Sequence, residues 1–144
     1  MTIICQRRDA LFMIASGALV AAARDARAET HTPAQRRHFV AEAERMRREA
    51  VAAGDQSYGA IVVKGDVIVG WGPSRVVTGR NPNAHAERVA VWDARDRLGV
   101  AGVKGAVMYS TSRPCGACEA AAAQAGIARM YWGADGRDAG VPGG

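Results

Sequence analysis

Two short motifs constrain the fold of this chain more than any other feature of its sequence. One is His85-Ala86-Glu87, and the other, some thirty residues later, is Pro114-Cys115-Gly116-Ala117-Cys118. Imidazole and cysteine thiolate are ligands that zinc prefers, and a catalytic zinc site takes three protein ligands with water in the fourth position. We therefore predict that the fold brings His85, Cys115 and Cys118 together as the ligands of one Zn²⁺ ion per chain.

Both motifs are expected at the beginnings of helices. Cys115 and Cys118 are three residues apart, so on a helix they share one face. Pro114 suits a first turn because its missing N–H would have no partner there. Asn83 is the predicted N-cap of the helix that carries the histidine motif. Because the positive end of a helix favours thiolates and other anions, two helix N-termini would face one metal.

Glu87 is not needed as a ligand and is assigned a separate role. Zinc lowers the pKa of a bound water to about 7 in well-characterised sites. We expect that water to be the nucleophile, and Glu87 to pass its proton to a ring nitrogen and then to a leaving amino group. The pattern H-x-E … P-C-x-x-C is the one found in zinc-dependent base deaminases. The sequence therefore predicts an enzyme that hydrolyses a C–N bond and releases ammonia.

Two other uses of the cysteine pair stay open. A CxxC pair also occurs as a redox module, although that use leaves the histidine motif unexplained. A closed structural zinc site needs a fourth ligand, and no candidate stands out among Cys5, His31 and His38. The alternative to an enzyme is therefore a non-catalytic zinc-binding or redox CxxC module.

The chain resembles the cytidine/deoxycytidylate deaminase superfamily, and within it the branch of guanine deaminases and tRNA adenosine deaminases. The similar stretches are residues 58–63, 81–87 and 125–133, and the resemblance covers about residues 57 to 135. It implies an α/β fold class, in the form of a three-layer α/β/α cytidine deaminase-like fold. It also implies zinc binding by the histidine and the two cysteines, with Glu87 as the catalytic residue.

The resemblance also indicates residues that would contact the substrate. Tyr58 lies where relatives often place an aromatic residue near the pocket, and Ala86 lies inside the histidine motif. Ser74 stands where the branch usually has an asparagine that hydrogen-bonds the base, and serine has a shorter reach. Arg113 replaces a frequent glutamate, and Cys115-Gly116-Ala117-Cys118 is more similar to cytidine deaminases. A purine-like base or nucleoside is the favoured substrate, and a cytosine or cytidine type is the alternative.

Residues 1–28 have the features of an export signal. Arg7-Arg8 precedes an apolar run from Ala10 to Ala23, and Ala26-Arg27-Ala28 is an A-x-A cleavage pattern. The paired arginines indicate a twin-arginine signal peptide, with an N-terminal membrane-anchoring helix as the alternative. We expect residues 29–144 to form one zinc-dependent deaminase domain, short at its C-terminus for this family. Its predicted location is periplasmic or secreted, and the alternative is cytoplasmic.

The charge of the chain does not favour nucleic acid as its partner. The formal net charge is +5. Residues 1–28 hold four arginines and two aspartates, so they contribute +2 and leave +3 for residues 29–144. No run of basic residues interleaves with aromatic residues there. The expected partner is a small base or nucleoside. No membrane span is predicted in residues 29–144, and a homodimer is an open alternative to a monomer.

The order of the elements predicts helices on both faces of a mixed sheet of about four to five strands. The pattern reads α-β-β-α-β-α-β, with a first helix that begins at Thr32-Pro33 and a hairpin around Lys64-Gly65-Asp66. A right-handed crossover would place the strand Arg129 to Trp132 parallel to the strand Val107 to Ser110. The glycine-rich tail from residue 133 is expected to be loose.

Overall fold

The computed structural model describes residues 31–143, which form three α-helices, five strands and one 3-10 turn. In chain order these are α1 Pro33–Ala52, β1 Gly59–Lys64, β2 Val67–Pro73, α2 Ala86–Leu98, the 3-10 turn Ala101–Val103, β3 Val107–Ser110, α3 Gly116–Ala125, β4 Arg129–Trp132 and β5 Arg137–Gly140. The predicted signal segment, with Cys5, lies outside the described residues. Within residues 31–143, every helix is too short or too polar to cross a lipid bilayer.

The five strands form one mixed sheet in the order β2-β1-β3-β4-β5. β1 is antiparallel to both β2 and β3, β4 is antiparallel to β5, and β3 and β4 are parallel. The parallel pair is joined through α3, which is the crossover that the sequence predicted. The expected α/β class and mixed sheet are therefore confirmed.

Helices cover both faces of this sheet and enclose two hydrophobic cores. On β1, Ile61 and Val63 face α1, whereas Ala60 and Val62 face α2 and α3. This alternation follows from the two-residue period of a strand. The α1 core is Phe39, Ala43, Met46, Ile61, Val63, Val107, Tyr109 and Tyr131. The opposite core is built from small alanines and valines together with Met108, Ile127 and Met130. The three-layer arrangement is therefore confirmed.

Two glycines in β2 set the position of α2. A Cβ atom at Gly72 would overlap the carbonyl oxygen of Ala86, and one at Gly70 would overlap the carbonyl oxygen of Ala90. The helix therefore lies against the backbone of β2 with no side chain between them. Because His85 immediately precedes α2, this close approach also fixes the position of the histidine motif relative to the sheet.

The first helix begins as the sequence predicted. Thr32 is its N-cap, its side chain accepts a hydrogen bond from the backbone N–H of Gln35, and the Gln35 side chain accepts one from the N–H of Thr32. This reciprocal pair is a capping box. Just before it, the ring of His31 is buried, 2.8 Å from the hydroxyl of Tyr109 and 2.9 Å from the carbonyl oxygen of Gly65.

The expectation of a loose tail is wrong, because residues 137–140 form β5. Gly133 and Gly136 have φ angles of +77° and +59°, a region that suits glycine, and they allow the chain to turn back beside β4. Arg129 on β4 then pairs with Asp138 on β5, with its Nε 3.0 Å from both carboxylate oxygens. A cross-strand ion pair of this kind joins residues nine apart in the chain, which explains why local composition did not indicate the strand.

Candidate metal centre

Strand direction brings the predicted site to one edge of the sheet. Gly59 at the beginning of β1 lies opposite Pro73 at the end of β2, and the adjacent Ala60 lies opposite Ser110 at the end of β3. Tyr58 and Ser74 flank these strand ends. The chain then enters α2 and α3 from the same edge, so both sequence motifs meet there.

His85 is the N-cap residue of α2, and the prediction that Asn83 has this role is wrong. The backbone of His85 is extended, with φ −61° and ψ 151°, and its carbonyl oxygen accepts the first helical hydrogen bond, from Val89 at 2.9 Å. The Asn83 side chain instead accepts a hydrogen bond from Arg88 at 2.9 Å. Since the imidazole makes no capping hydrogen bond, it stays available to bind a metal.

Cys115 has the corresponding position on α3. Its backbone is extended, and its sulfur accepts a hydrogen bond from the backbone N–H of Cys118 at 3.3 Å. The sulfur therefore takes the position that a serine or aspartate oxygen has in an ordinary N-cap. Helix α3 begins at Gly116, one residue later than expected. The N-termini of α2 and α3 converge, and their positive ends favour negative charge between them.

The three predicted ligand atoms form a small triangle. Nδ1 of His85 lies 3.4 Å from the sulfur of Cys118 and 3.7 Å from the sulfur of Cys115, and the two sulfurs are 3.1 Å apart. In a tetrahedral zinc site, Zn–S bonds of about 2.3 Å and Zn–N bonds of about 2.0 Å separate the ligand atoms by about 3.5–3.8 Å. The two nitrogen–sulfur distances are close to these values, and the two sulfurs would move apart on binding the metal. The sulfurs are well beyond the roughly 2.05 Å of a disulfide, and both cysteines are free.

This donor set fits one zinc ion with an open coordination position. Among residues 31–143, the cluster of possible metal ligands consists of His85, Cys115 and Cys118. Three protein ligands are typical of catalytic zinc, whereas structural zinc has four. Cys118 is buried and Cys115 is exposed, so the cluster is supported from inside the protein and open to solvent on one side. The zinc cofactor that the sequence predicted therefore agrees with the geometry.

Burial controls the ionisation of the inner cysteine. Burial raises the pKa of Cys118, the hydrogen bond to Cys115 and the charge of Glu87 raise it further, and the charge of Arg88 opposes them. These effects together favour the neutral thiol of Cys118 in the metal-free protein. Because zinc binds the thiolate, metal uptake must release this proton, and zinc affinity must rise with pH.

Glu87 lies beside the metal cluster but outside it. It occupies the first turn of α2, where the helix dipole favours a carboxylate, and only 6% of it is exposed. One of its oxygens, Oε1, accepts a hydrogen bond of 2.9 Å from the hydroxyl of Ser110. Sequence reasoning did not identify Ser110, because a serine at the end of an apolar strand carries no local signal of its partner.

The hydroxyl of Ser74 contacts a carboxylate of the protein, whereas the sequence predicted a contact with the substrate base. Only 2% of Ser74 is exposed, and its hydroxyl donates to Oδ1 of Asp55 at 2.8 Å. The other oxygen of Asp55 accepts from the N–H groups of Val77 and Thr78 and from the Thr78 hydroxyl, at 2.7–3.0 Å. Asp55 therefore organises the loop between β2 and the histidine motif. A substrate contact by Ser74 stays a prediction, and its hydroxyl already has a protein partner.

Replacing Asp55 by alanine is expected to loosen this loop and destabilise the protein by about 1–2 kcal/mol, in the range for a lost side-chain cap. Burial by itself would raise the pKa of Asp55, but the hydrogen bonds from Thr78, Gln56 and Ser74 lower it well below the ordinary value of 3.8. A carboxyl group with a lowered pKa contributes stability that is complete above its ordinary pKa and is lost as the pH falls through its folded value.

Urea unfolding of the wild type and of Asp55→Ala, at several pH values from about 7 to about 3, measures this effect. The difference between the two midpoints should be constant near neutral pH and shrink in acid. Asp135→Ala, at an exposed aspartate in the turn before β5, controls for the loss of a carboxylate. A difference that stays the same down to the lowest pH would contradict the assigned role of the Asp55 carboxylate.

The other two predicted substrate contacts lie at the same edge. Tyr58 is 47% exposed and borders a cavity of about 680 Å³ together with Ser110 and Ser112. This cavity is otherwise lined mainly by α1, and none of the three candidate metal ligands lines it. Ala86 is buried in the first turn of α2. The roles of both residues toward a substrate stay predictions, as do the homodimer and twin-arginine export.

Comparison with known proteins agrees with this geometry. Residues 33–134 match the family described as the cytidine and deoxycytidylate deaminase zinc-binding region. Guanine deaminase from Bacillus subtilis (strain 168) is 31% identical over 75 residues, which cover 52% of this chain and 43% of that protein. A tRNA-specific adenosine deaminase from Aquifex aeolicus (strain VF5) is 31% identical over 97 residues, which cover 67% of this chain and 64% of that protein.

A solved structure has the same fold. It comes from work on A-to-I editing by tRNA:A34 deaminases, superposes with a TM-score of 0.65 and is 31% identical, covering 68% of this chain and 75% of that one. The chain spans less than two thirds of the length of the two curated relatives above.

Proposed function

This chain belongs to the cytidine and deoxycytidylate deaminase zinc-binding family, and on that premise we propose that it is a hydrolytic deaminase acting on a purine-like nucleobase or nucleoside. The reaction replaces an exocyclic amino group of the ring by oxygen from water and releases ammonia. The proposal rests on the metal cluster together with the carboxylate beside it.

The observation that carries the proposal is the position of Glu87. A structural zinc site or a redox cysteine pair has no use for a buried carboxylate outside the ligand set. Here the carboxylate is held within the first turn of α2, two residues after the metal-binding histidine, and its charge acts on Cys118. Buried ionisable groups beside a metal cluster are typical of catalytic sites.

Each residue has a defined part in the reaction. His85, Cys115 and Cys118 would hold the metal, and the N-termini of α2 and α3 would stabilise the two thiolates. When bound, zinc supplies Lewis acidity that makes water a nucleophile at neutral pH. Glu87 would accept the proton that water loses and deliver it to the ring nitrogen, and it would then take the second proton from the hydroxyl on the ring carbon and donate it to the departing amino group. These transfers balance the reaction, because the carboxylate ends as it began.

A purine-like substrate is favoured by the similar proteins. The guanine deaminase and the tRNA-specific adenosine deaminase are each named for a purine substrate, and each is 31% identical to this chain. The exposed ring of Tyr58, at the sheet edge where the two sequence motifs meet, provides a surface on which a base could stack. A cytosine-type substrate is the alternative, because the sequence Cys-Gly-Ala-Cys is more similar to cytidine deaminases. The net charge of only +3 in residues 29–144 favours a small molecule over a tRNA.

The test is ammonia release by the zinc-loaded full chain. The panel contains guanine, adenine, adenosine, guanosine, cytosine, cytidine and total tRNA, with the zinc content measured in the same preparation. We expect the fastest release from a purine base or purine nucleoside. Release from cytosine or cytidine alone would replace the proposed substrate class, and release from tRNA alone would replace the small-molecule assignment. No release from any compound, with one zinc per chain, would overturn the proposed function.

A further inference from the structure

We propose that Ser110 is a positioning residue for Glu87, and this inference rests on the deaminase function proposed above. The hydroxyl of Ser110 lies 2.9 Å from Oε1 of Glu87. In the described part of the chain, no other side-chain hydrogen bond reaches that carboxylate. The orientation of the proton-transferring group therefore depends on a hydroxyl from another layer of the fold.

The strand places this hydroxyl at the carboxylate. Val107 and Tyr109 on β3 face α1, whereas Met108 faces α2 and α3. Since strand residues alternate between faces, Ser110 is on the same side as Met108 and faces the first turn of α2. The strand is held on both sides, because Ser110 lies opposite Ala60 of β1 and opposite Trp132 of β4. The backbone that carries this hydroxyl is therefore held in place by strand pairing on both sides.

Burial makes this contact a strong constraint. Ser110 is 4% exposed and Glu87 is 6% exposed, so little water reaches either group. A buried carboxylate that loses its hydrogen-bond donor is costly to leave unpaired. Hydrogen bonds to an ionised oxygen are also about twice as strong as those between neutral groups. The carboxylate should therefore stay close to the orientation that Ser110 gives it.

A second acceptor connects this pair to the cysteine loop. The hydroxyl of Ser110 is also 2.8 Å from the carbonyl oxygen of Ser112, which is three residues before the ligand Cys115. A hydroxyl has a single proton to donate, so the two acceptors share it, and a carboxylate is the stronger acceptor of the two. Ser110 therefore joins the element that carries Glu87 to the segment that carries the cysteine ligands. We infer that it sets the distance from the carboxylate to the reacting atoms.

The test compares Ser110→Thr with Ser110→Val in the zinc-loaded full chain. Threonine and valine have nearly the same shape, so both add the same methyl group to a buried position, and only threonine keeps the hydroxyl. We expect Ser110→Val and Ser110→Ala to lower kcat by about 10- to 100-fold, the range measured for partners that orient active groups in metal sites. Ser110→Thr should keep kcat within a few-fold of the wild type, and KM should change little in all three variants.

A measurement without substrate tests the contact itself. Urea midpoints of Ser110→Ala, Glu87→Ala and the double variant form a cycle, and residues in contact should give non-additive midpoints. Equal kcat values for the threonine and valine variants, or additive midpoints, would overturn the role of Ser110. Inactivity of the wild type across the substrate panel would instead overturn the proposed function. The activity of the wild type is therefore measured before any Ser110 variant is compared with it.

Discussion

Changing Glu87 to glutamine should lower the rate of ammonia release by at least about 10²-fold while zinc stays bound. Proton transfer by a positioned side chain contributes about 10²–10⁴-fold to a rate, and an amide cannot accept and return the proton. Glutamine keeps the shape of the side chain, and its carbonyl oxygen can still accept the hydrogen bond from Ser110. The change therefore removes the proton transfer without removing the contact.

The measurement is kcat on the best substrate of the panel, with zinc determined in the same samples. Glu119→Gln is the matched control, because Glu119 lies next to the ligand Cys118 on α3 and its carboxylate accepts a hydrogen bond from the N–H of Gly143 at 3.3 Å. That variant should keep near-normal activity. A Glu87→Gln enzyme that retains more than about a tenth of the wild-type rate would contradict the role of Glu87 as proton shuttle.

The metal cluster could be predicted from the sequence because zinc chemistry imposes its own geometry. The identities of His85, Cys115 and Cys118, and the spacing of the two cysteines, are enough to predict three ligands at one point. The first helix and the hairpin could also be predicted, because Thr32-Pro33 and the Lys64-Gly65-Asp66 turn are local signals. The sequence is informative where the residue types themselves specify a metal-ligand set, or where a turn or helix start has a local signal.

The N-cap of α2 shows where local signals fail. Asparagine is a preferred N-cap, so propensity alone favours Asn83. In the structure α2 begins two residues later, and His85 takes the N-cap position without capping the helix by its side chain. The imidazole of His85 is thereby left free to bind a metal. N-cap propensity favours Asn83, whereas metal binding favours a histidine with no capping hydrogen bond.

The hydrogen bonds that support the site could not be predicted, because their partners are distant in the chain. Ser110 and Glu87 are 23 residues apart, and Ser74 and Asp55 are 19 residues apart. Serines at strand ends are common, and nothing in the neighbouring residues indicates which acceptor they meet. The close packing of α2 against the two glycines of β2 helps to bring Glu87 within reach of β3.

Changing Cys115 to serine should abolish tight zinc binding while leaving the metal-free fold nearly intact. Serine is itself a preferred N-cap, so its hydroxyl can replace the sulfur as acceptor for the N–H of Cys118, and α3 keeps its first turn. An alcohol is a poor zinc ligand compared with a thiolate. The loss of affinity should exceed the roughly 10- to 100-fold that outer partners of a metal site contribute.

Stability measurements distinguish the role of the Cys115 sulfur as a zinc ligand from its role as the N-cap acceptor of α3. A ligand that binds only the folded state stabilises it by about 2.7 kcal/mol at 100 times its dissociation constant, so wild-type stability should rise with added zinc, whereas that of Cys115→Ser should not. With a chelator present, the two proteins should unfold at nearly the same urea concentration, because the cap is retained. Cys5→Ser, which removes a thiol from the predicted signal segment, should bind zinc like the wild type. Equal zinc content in Cys115→Ser and the wild type would exclude Cys115 as a ligand, and with it the three-ligand site on which the deaminase mechanism depends.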